Sequence, residues 1–316
     1  MAGAGLCEFE VSMKQAEEIL LETPLGQLAG LRWKAEAAPR VLCLHGWLDN
    51  AASFIPLAEH LPGFDIVALD LPGHGLSEHR HHTARYHFID YLWDVDAALT
   101  ALGWDNCHIV GHSMGGGVST LYSSASPARI RSIVVLDGLG PVTSAATDTA
   151  MRLRRSMTVM RKERNPLKPY DSIDEMVRAR LGVSDLSVDA ARLLCTRSAR
   201  QVGKHYYWRT DPALNWISPI VLTHQQLLDC LGHIEAPLLS WMAKPFASWH
   251  SEDKVRDCQE ATRHGRHETI EAHHHFHMEI PGKIAATIQA FILENDQSPS
   301  QREHDEQSDQ DLHPGA

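Results

Sequence analysis

Hydrophobic positions along this chain come in short, dense blocks. Residues 40–46 read RVLCLHG, 65–75 DIVALDLPGHG, 107–113 CHIVGHS, 130–138 IRSIVVLDG and 236–242 APLLSWM, with HETIEAH at 267–273. Runs this short and this apolar predict strands covered on both faces. Between them the period changes. In 88–102, Ile89, Leu92, Trp93 and Leu99 recur near helical spacing, and in 283–295, Ile284, Ile288, Phe291 and Ile292 do the same. Strand alternating with helix predicts an α/β fold, a mostly parallel central sheet with helices on both faces.

Three stretches depart from that alternation. Residues 8–34 carry a Pro and two Gly among alternating apolar positions, which predicts an antiparallel hairpin on the sheet edge. Residues 140–232 are rich in Arg, Leu and Ala with helical spacing and no evident strand, which predicts a helical cap inserted after the IVVLDG strand. Within it, 151–168 holds seven basic residues and one acid. That pattern suits a solvated helix face, or a basic rim favouring acidic substrates or a membrane surface. Residues 295–316 are polar and acidic and are expected to be disordered. The expected organisation is a core of 8–139 and 233–294, a cap of 140–232 and the acidic tail.

Composition narrows the class. Across 316 residues, 43% are hydrophobic and 22% charged, with a formal net charge of −11. That balance is ordinary for a globular protein and argues against general affinity for nucleic acid. No run of about 18 apolar residues predicts a membrane span. The first ten residues, MAGAGLCEFE, lack the features of a secretory signal. Six cysteines stand at 7, 43, 107, 195, 230 and 258 with no C-x-x-C pair, the pattern of a reduced, cytoplasmic chain rather than a disulfide scaffold.

The chemistry concentrates at VGHSMGGG, 110–117. It follows an apolar strand and precedes GGVSTLYSSAS, a helix ending before Pro127. This is G-x-S-x-G in the context that gives it meaning. A serine on a sharp strand-to-helix turn needs neighbours without side chains, and Gly111 and Gly115 supply them. The turn lifts Ser113 to the carboxyl end of the sheet, where open α/β sheets bind ligands. A serine nucleophile needs a base, expected late in the chain, and 273–281 offers His273, His274, His275 and His277. It also needs donors for a developing oxyanion. The Met114 N–H is one candidate, and the Trp47 N–H, after His45-Gly46 at the end of an early strand, is the other. No metal or other cofactor is expected. Neither these histidines nor HRHH at 79–82 matches a known zinc spacing.

LCLHGWLDNAASF (42–54), LPGHGLS (71–77), GHSMGGG (111–117) and HHFHMEIPGKIAATIQAFI (274–292) together resemble the serine hydrolase-like family of the α/β-hydrolase superfamily. The resemblance spans roughly 8–294. It implies the α/β-hydrolase fold, a Ser-acid-His triad and hydrolysis of a small ester-like substrate. In the superfamily the base lies seven residues before the proline that opens the last helix, which from Pro281 gives His274, with His275 as runner-up. The acid departs from the common pattern. Its usual place, within 238–249, holds no carboxylate, and Phe246 stands about where the Asp belongs. Some members, haloalkane dehalogenases among them, place it after the strand that follows the nucleophile helix, which here gives Asp137. Glu252 or Asp253 is one alternative, and a dyad without an acid the other. A serine in place of the aspartate nucleophile of dehalogenases and epoxide hydrolases leaves acyl transfer as the chemistry. Two rival expectations remain: hydrolysis of a carbon–carbon bond on the same fold, and a ligand-binding protein with a dead site. Nothing in the chain indicates an oligomeric state.

Overall fold

A computed structural model describes residues 16–161, 167–247 and 251–296. Cys7 and most of the acidic tail lie outside these residues, as do 162–166 of the basic segment. Strands are β1 (Glu17–Thr23), β2 (Gly26–Trp33), β3 (Arg40–Leu44), β4 (Asp65–Leu69), β5 (Cys107–His112), β6 (Ile130–Leu136), β7 (Ala199–Val202), β8 (His205–Trp208), β9 (Leu238–Lys244) and β10 (Gly265–Glu271). Helices are α1 (Ile55–Ala58), α2 (Asp90–Ala101), α3 (Met114–Ala125), α4 (Thr149–Met160), α5 (Ile173–Leu181), α6 (Val188–Ser198), α7 (His224–Gly232), α8 (Glu252–Ala261), α9 (Phe276–Glu279) and α10 (Gly282–Asp296).

Eight strands form one sheet in the order β1-β2-β4-β3-β5-β6-β9-β10. β1 and β2 pair antiparallel, β2 joins β4 antiparallel, and all later neighbours are parallel. The apolar runs have no polar alternation because the sheet is covered twice. On β3, Val41 and Cys43 pack into one layer with Phe54, Ile288 and Phe291, while Leu42 and Leu44 pack into the other with Val118 and Leu121. Each fully buried side chain of this size contributes about 1.5–3 kcal/mol. β10 is different: as the outer strand it leaves His267-to-Glu271 positions largely exposed, so HETIEAH is an edge strand and not one covered on both faces. Successive connections run one way from β3 to β4 and the other way from β5 to β10. The reversal falls between β3 and β5, the place where such sheets open a crevice.

Both helical patterns form helices. In α10, Ile284, Ile288, Phe291 and Ile292 are all buried. In α2 the buried face is instead Tyr91, Val95, Ala98 and Leu99, and Trp93 stands 69% exposed. The segment between β6 and β9 holds α4 to α7 and also the β7–β8 hairpin, a departure from the strand-free insertion expected there. Within that segment, α7 places Leu227 and Leu231 in the same apolar layer as Val118 and Leu121 of α3. The five cysteines among the described residues are free thiols. No helix among the described residues is long and apolar enough to cross a membrane.

Candidate active site

Ser113 sits between β5 and α3 with φ 50° and ψ −114°. Residues with side chains adopt that region only where their surroundings hold them in it. Here the Ser113 N–H donates to the Leu136 carbonyl at 2.9 Å, and the Gly117 N–H donates to the Ser113 carbonyl at 3.1 Å. The neighbouring glycines are obligatory. A Cβ on Gly111 would stand 2.5 Å from the Gly115 carbonyl oxygen, and one on Gly115 would overlap the Leu44 carbonyl. A Cβ on Gly138 would overlap the Ser113 carbonyl. β3, β5, β6 and α3 thus meet at backbone contact around this serine.

Asp137 ends β6 one residue before Gly138, with φ 53° and 1% exposure. The Trp241 carbonyl accepts from its N–H at 2.8 Å, and its Oδ1 accepts from the Ala243 N–H at 2.9 Å. Its Oδ2 lies 2.5 Å from His274 Nδ1. The fold therefore brings Asp137 and His274 into direct contact, and Gly138, the residue after Asp137, packs against the Ser113 backbone. Glu252 and Asp253 lie exposed in the first turn of α8, where Asp253 accepts from Arg256 at 2.8 Å.

The remaining late histidines have distinct surroundings. His273 is exposed, 3.7 Å from Asp185 Oδ2. His275 is buried, its Nε2 3.1 Å from Asp49 Oδ2. His277 is wholly enclosed, with ring centroids 4.1 Å from His112 and 5.4 Å from Phe54. Burial, and then the neighbouring imidazoles, push both His112 and His277 well below the ordinary imidazole value. His112 also reaches the histidine loop directly, its Nε2 standing 3.0 Å from the His274 carbonyl oxygen.

Met114 is the first residue of α3. Trp47, 49% exposed, lies in the turn closed by the Asp49 N–H donating to the Gly46 carbonyl at 3.1 Å. A bond of 3.1 Å from the Gly115 N–H to the His45 carbonyl fixes that loop against the start of α3. Both candidate donors are thus on the same end of the sheet as Ser113. A small cavity elsewhere in the fold is lined by Leu139, Val142, Leu227, Met242, Val255 and Cys258 together with the polar Thr143, His224 and Lys254, and none of Ser113, Asp137 and His274 lines it.

Three residues had no role in the sequence pattern: Asp49, His112 and Arg180. Asp49 Oδ1 accepts from Arg180 of α5 at 2.5 Å, its Oδ2 faces His275, and His112 Nδ1 lies 3.7 Å from that same Oδ2. The aspartate of HGWLDN and the histidine of GHS are both quoted motif residues, but three remote segments must fold together before they form a group. At 79–82 the histidines are occupied apart from this group. His79 Nε2 lies 2.7 Å from the Arg209 carbonyl, and the His81 and His82 rings stand 4.1 Å apart.

The sequence profile of the α/β-hydrolase-fold family matches residues 39–174. A serine hydrolase-like protein of Danio rerio is 32% identical over 305 residues, covering 92% of this chain and 92% of its own length. Serine hydrolase-like protein 2 of Homo sapiens is 27% identical over 304 residues, covering 90% and 96%. Among solved structures, a hypothetical protein of Pseudomonas aeruginosa superposes with a TM-score of 0.82 at 34% identity, over 88% of this chain and 99% of that one. The thioesterase domain of the curacin biosynthetic pathway, at 22% identity and TM-score 0.76 over 86% and 99%, shares the fold.

Proposed function

This chain belongs to the serine hydrolase-like family of α/β-hydrolase-fold proteins, and on that premise we propose that it hydrolyses a small carboxylic ester, thioester or lactone through an acyl-Ser113 intermediate. The observation that carries the proposal is the 2.5 Å bond between His274 Nδ1 and Asp137 Oδ2, formed next to a serine held at φ 50°. A dead-site protein was suggested by the missing acid at the usual place; the contact of Asp137 with His274 supports the active reading over it.

In this reading the groups act in sequence. Asp137 accepts the Nδ1–H of His274, which leaves Nε2 with its lone pair. Ser113 Oγ attacks the substrate carbonyl carbon while its proton passes to Nε2. Negative charge collects on the carbonyl oxygen, and the N–H groups of Met114 and Trp47 bind it. The intermediate collapses, the bond to the leaving group breaks, and His274 Nε2–H protonates that group. Water then attacks the acyl-serine with His274 again as base, releasing the acid and restoring Ser113. Residues 140–232 cap the site in this reading.

Intact mass after incubation with a fluorophosphonate tests this on wild type, Ser113→Ala and His274→Ala. One adduct on wild type and none on either variant is the expected result. An unlabelled wild type would remove the activated serine, and labelling that survives in His274→Ala would move the base to His275.

A further inference from the structure

The group formed by Asp49, His112 and His275 has no part in the steps above, and its chemistry is incomplete. All three are buried, at 1%, 0% and 7% exposure. Each offers one donor atom, and the three atoms lie within 4.8 Å of one another. His275 Nε2 and His112 Nδ1 stand 3.1 and 3.7 Å from Asp49 Oδ2. Two ligands bound at about 2.1 Å to a tetrahedral zinc ion stand about 3.4 Å apart, between those two values.

Proton placement sharpens the point. His112 Nε2 faces a carbonyl oxygen, that of His274, at 3.0 Å. Only an N–H can bond there, so Nε2 carries the ring proton and Nδ1 carries a lone pair. Nδ1 is buried and makes no hydrogen bond. It faces the Asp49 carboxylate oxygen at 3.7 Å, so two lone pairs oppose each other. His275 can donate a proton to Asp49, but that leaves the His112 lone pair unmatched. A metal-bound histidine characteristically gives its other N–H to a backbone carbonyl, which fixes the ring and raises its basicity. His112 already has that arrangement.

We propose that Asp49, His112 and His275 form a binding site for a divalent transition cation of the zinc type. Asp49 Oδ2, His112 Nδ1 and His275 Nε2 are the ligands, and His275 binds as the neutral Nδ1–H tautomer, Nε2 giving its proton to solvent and Nδ1 taking one from solvent where the ring was already neutral. Arg180 sets the strength. It already neutralises Asp49 through Oδ1 at 2.5 Å, so the site binds more weakly than a structural zinc site and loads reversibly. Loading pulls on His275 and on His112, which between them hold the backbone of His274. The ion is therefore placed to regulate the residue assigned as base above. Binding itself does not depend on that assignment.

The test is Zn2+ titration of the full chain against a chromophoric chelator, with Co2+ absorption as a second probe. The chain carries 21 histidines, so His81→Ala with His82→Ala serves as the surface control. Expected is one equivalent bound by wild type and by the surface control, weakened ~100-fold or more in Asp49→Asn and His112→Gln. Arg180→Met should bind more tightly, a change that a merely structural role for Asp49 does not produce. Absence of stoichiometric binding to wild type would overturn the proposal, as would binding indifferent to Asp49→Asn and His112→Gln, or binding lost in the surface control. Should those two variants fail to fold, Co2+ on wild type decides. Intense visible bands of a tetrahedral site support it, and the weak bands of an octahedral surface complex reject it. Fluorophosphonate labelling read with and without Zn2+ then tests the link to His274 separately.

Discussion

Asp137 stands at φ 53°, and that backbone decides which substitution can test it. Alanine would bear a left-handed conformation at a cost of roughly 1–2 kcal/mol. It would also leave the buried Ala243 N–H without an acceptor, for about 1–3 kcal/mol more. Asparagine tolerates the same φ and keeps an oxygen for Ala243. Its amide N–H, turned toward His274 Nδ1, would select the tautomer with the proton on Nε2, where Ser113 needs a base. Asp137→Asn should therefore lower p-nitrophenyl acetate turnover by about 10⁴ with the melting temperature nearly unchanged. A near-normal rate would return the acid to Glu252 or Asp253. Legibility differs sharply among these residues. Ser113 could be read from its glycines, because only a tight strand-to-helix turn needs small residues on both sides. His274 could not be separated from His273, His275 and His277 by local spacing and needed the family resemblance. Asp137 before Gly138 looks like any turn, and its bond to His274 bridges distant segments.

At the scale of elements, the segment between β6 and β9 is tied to the sheet by buried charge. Arg197 of α6 donates Nε to both carboxylate oxygens of Asp70, at 3.0 and 2.9 Å, and Nη1 to Glu18 at 2.5 Å. Asp70 is wholly buried and also accepts from the Ala51 and Leu76 N–H groups, at 2.7 and 2.8 Å. Beside it, Asn50 donates to the Leu194 carbonyl at 2.8 Å and to Ser198 at 2.9 Å. These bonds clamp α6 onto the loop after β3 that carries Trp47. Removing one partner of a buried pair leaves the other charge uncompensated, at about 3–5 kcal/mol. Arg197→Met should cost about 3 kcal/mol, the lower end, because two N–H groups still hold Asp70. Urea unfolding monitored by circular dichroism measures this, and an unchanged midpoint would show that the clamp carries no stability. None of it was readable beforehand, since an arginine in an Arg-rich segment looks like solvated surface. The β7–β8 hairpin was hidden for a related reason. Its strands are four residues each and only partly buried, so they lack the apolar run that marked the main sheet. The main strands were legible because helices cover both faces.

Across the whole molecule, burial of histidine ties the fold to pH. The His108 side chain is fully enclosed, with Nδ1 2.8 Å from Ser132 Oγ and Nε2 3.2 Å from Asp296 Oδ1. Burial pushes it down to about 4, against the partial support of Asp296. An unfolded histidine titrates near 6.5, so between those values the unfolded chain binds more protons than the folded one. Stability from this group is complete above about pH 6.5 and is lost as pH falls through about 4. A separation of about 2.5 pH units corresponds to about 3 kcal/mol. Asp94 acts in the opposite sense: burial raises it to about 6 despite the ion pair with Arg80. The folded state then binds the extra proton between about 4 and 6, and stability from that group grows as pH falls. The two slopes oppose each other, so the pH profile of wild type alone does not isolate either. The difference between wild type and His108→Gln does. Glutamine retains a partner for Ser132 and cannot be protonated, so its urea midpoint should fall less than that of wild type between pH 6.5 and pH 4. Parallel profiles would mean that His108 becomes charged inside the fold through its contact with Asp296, and that its burial costs the acid-side stability nothing.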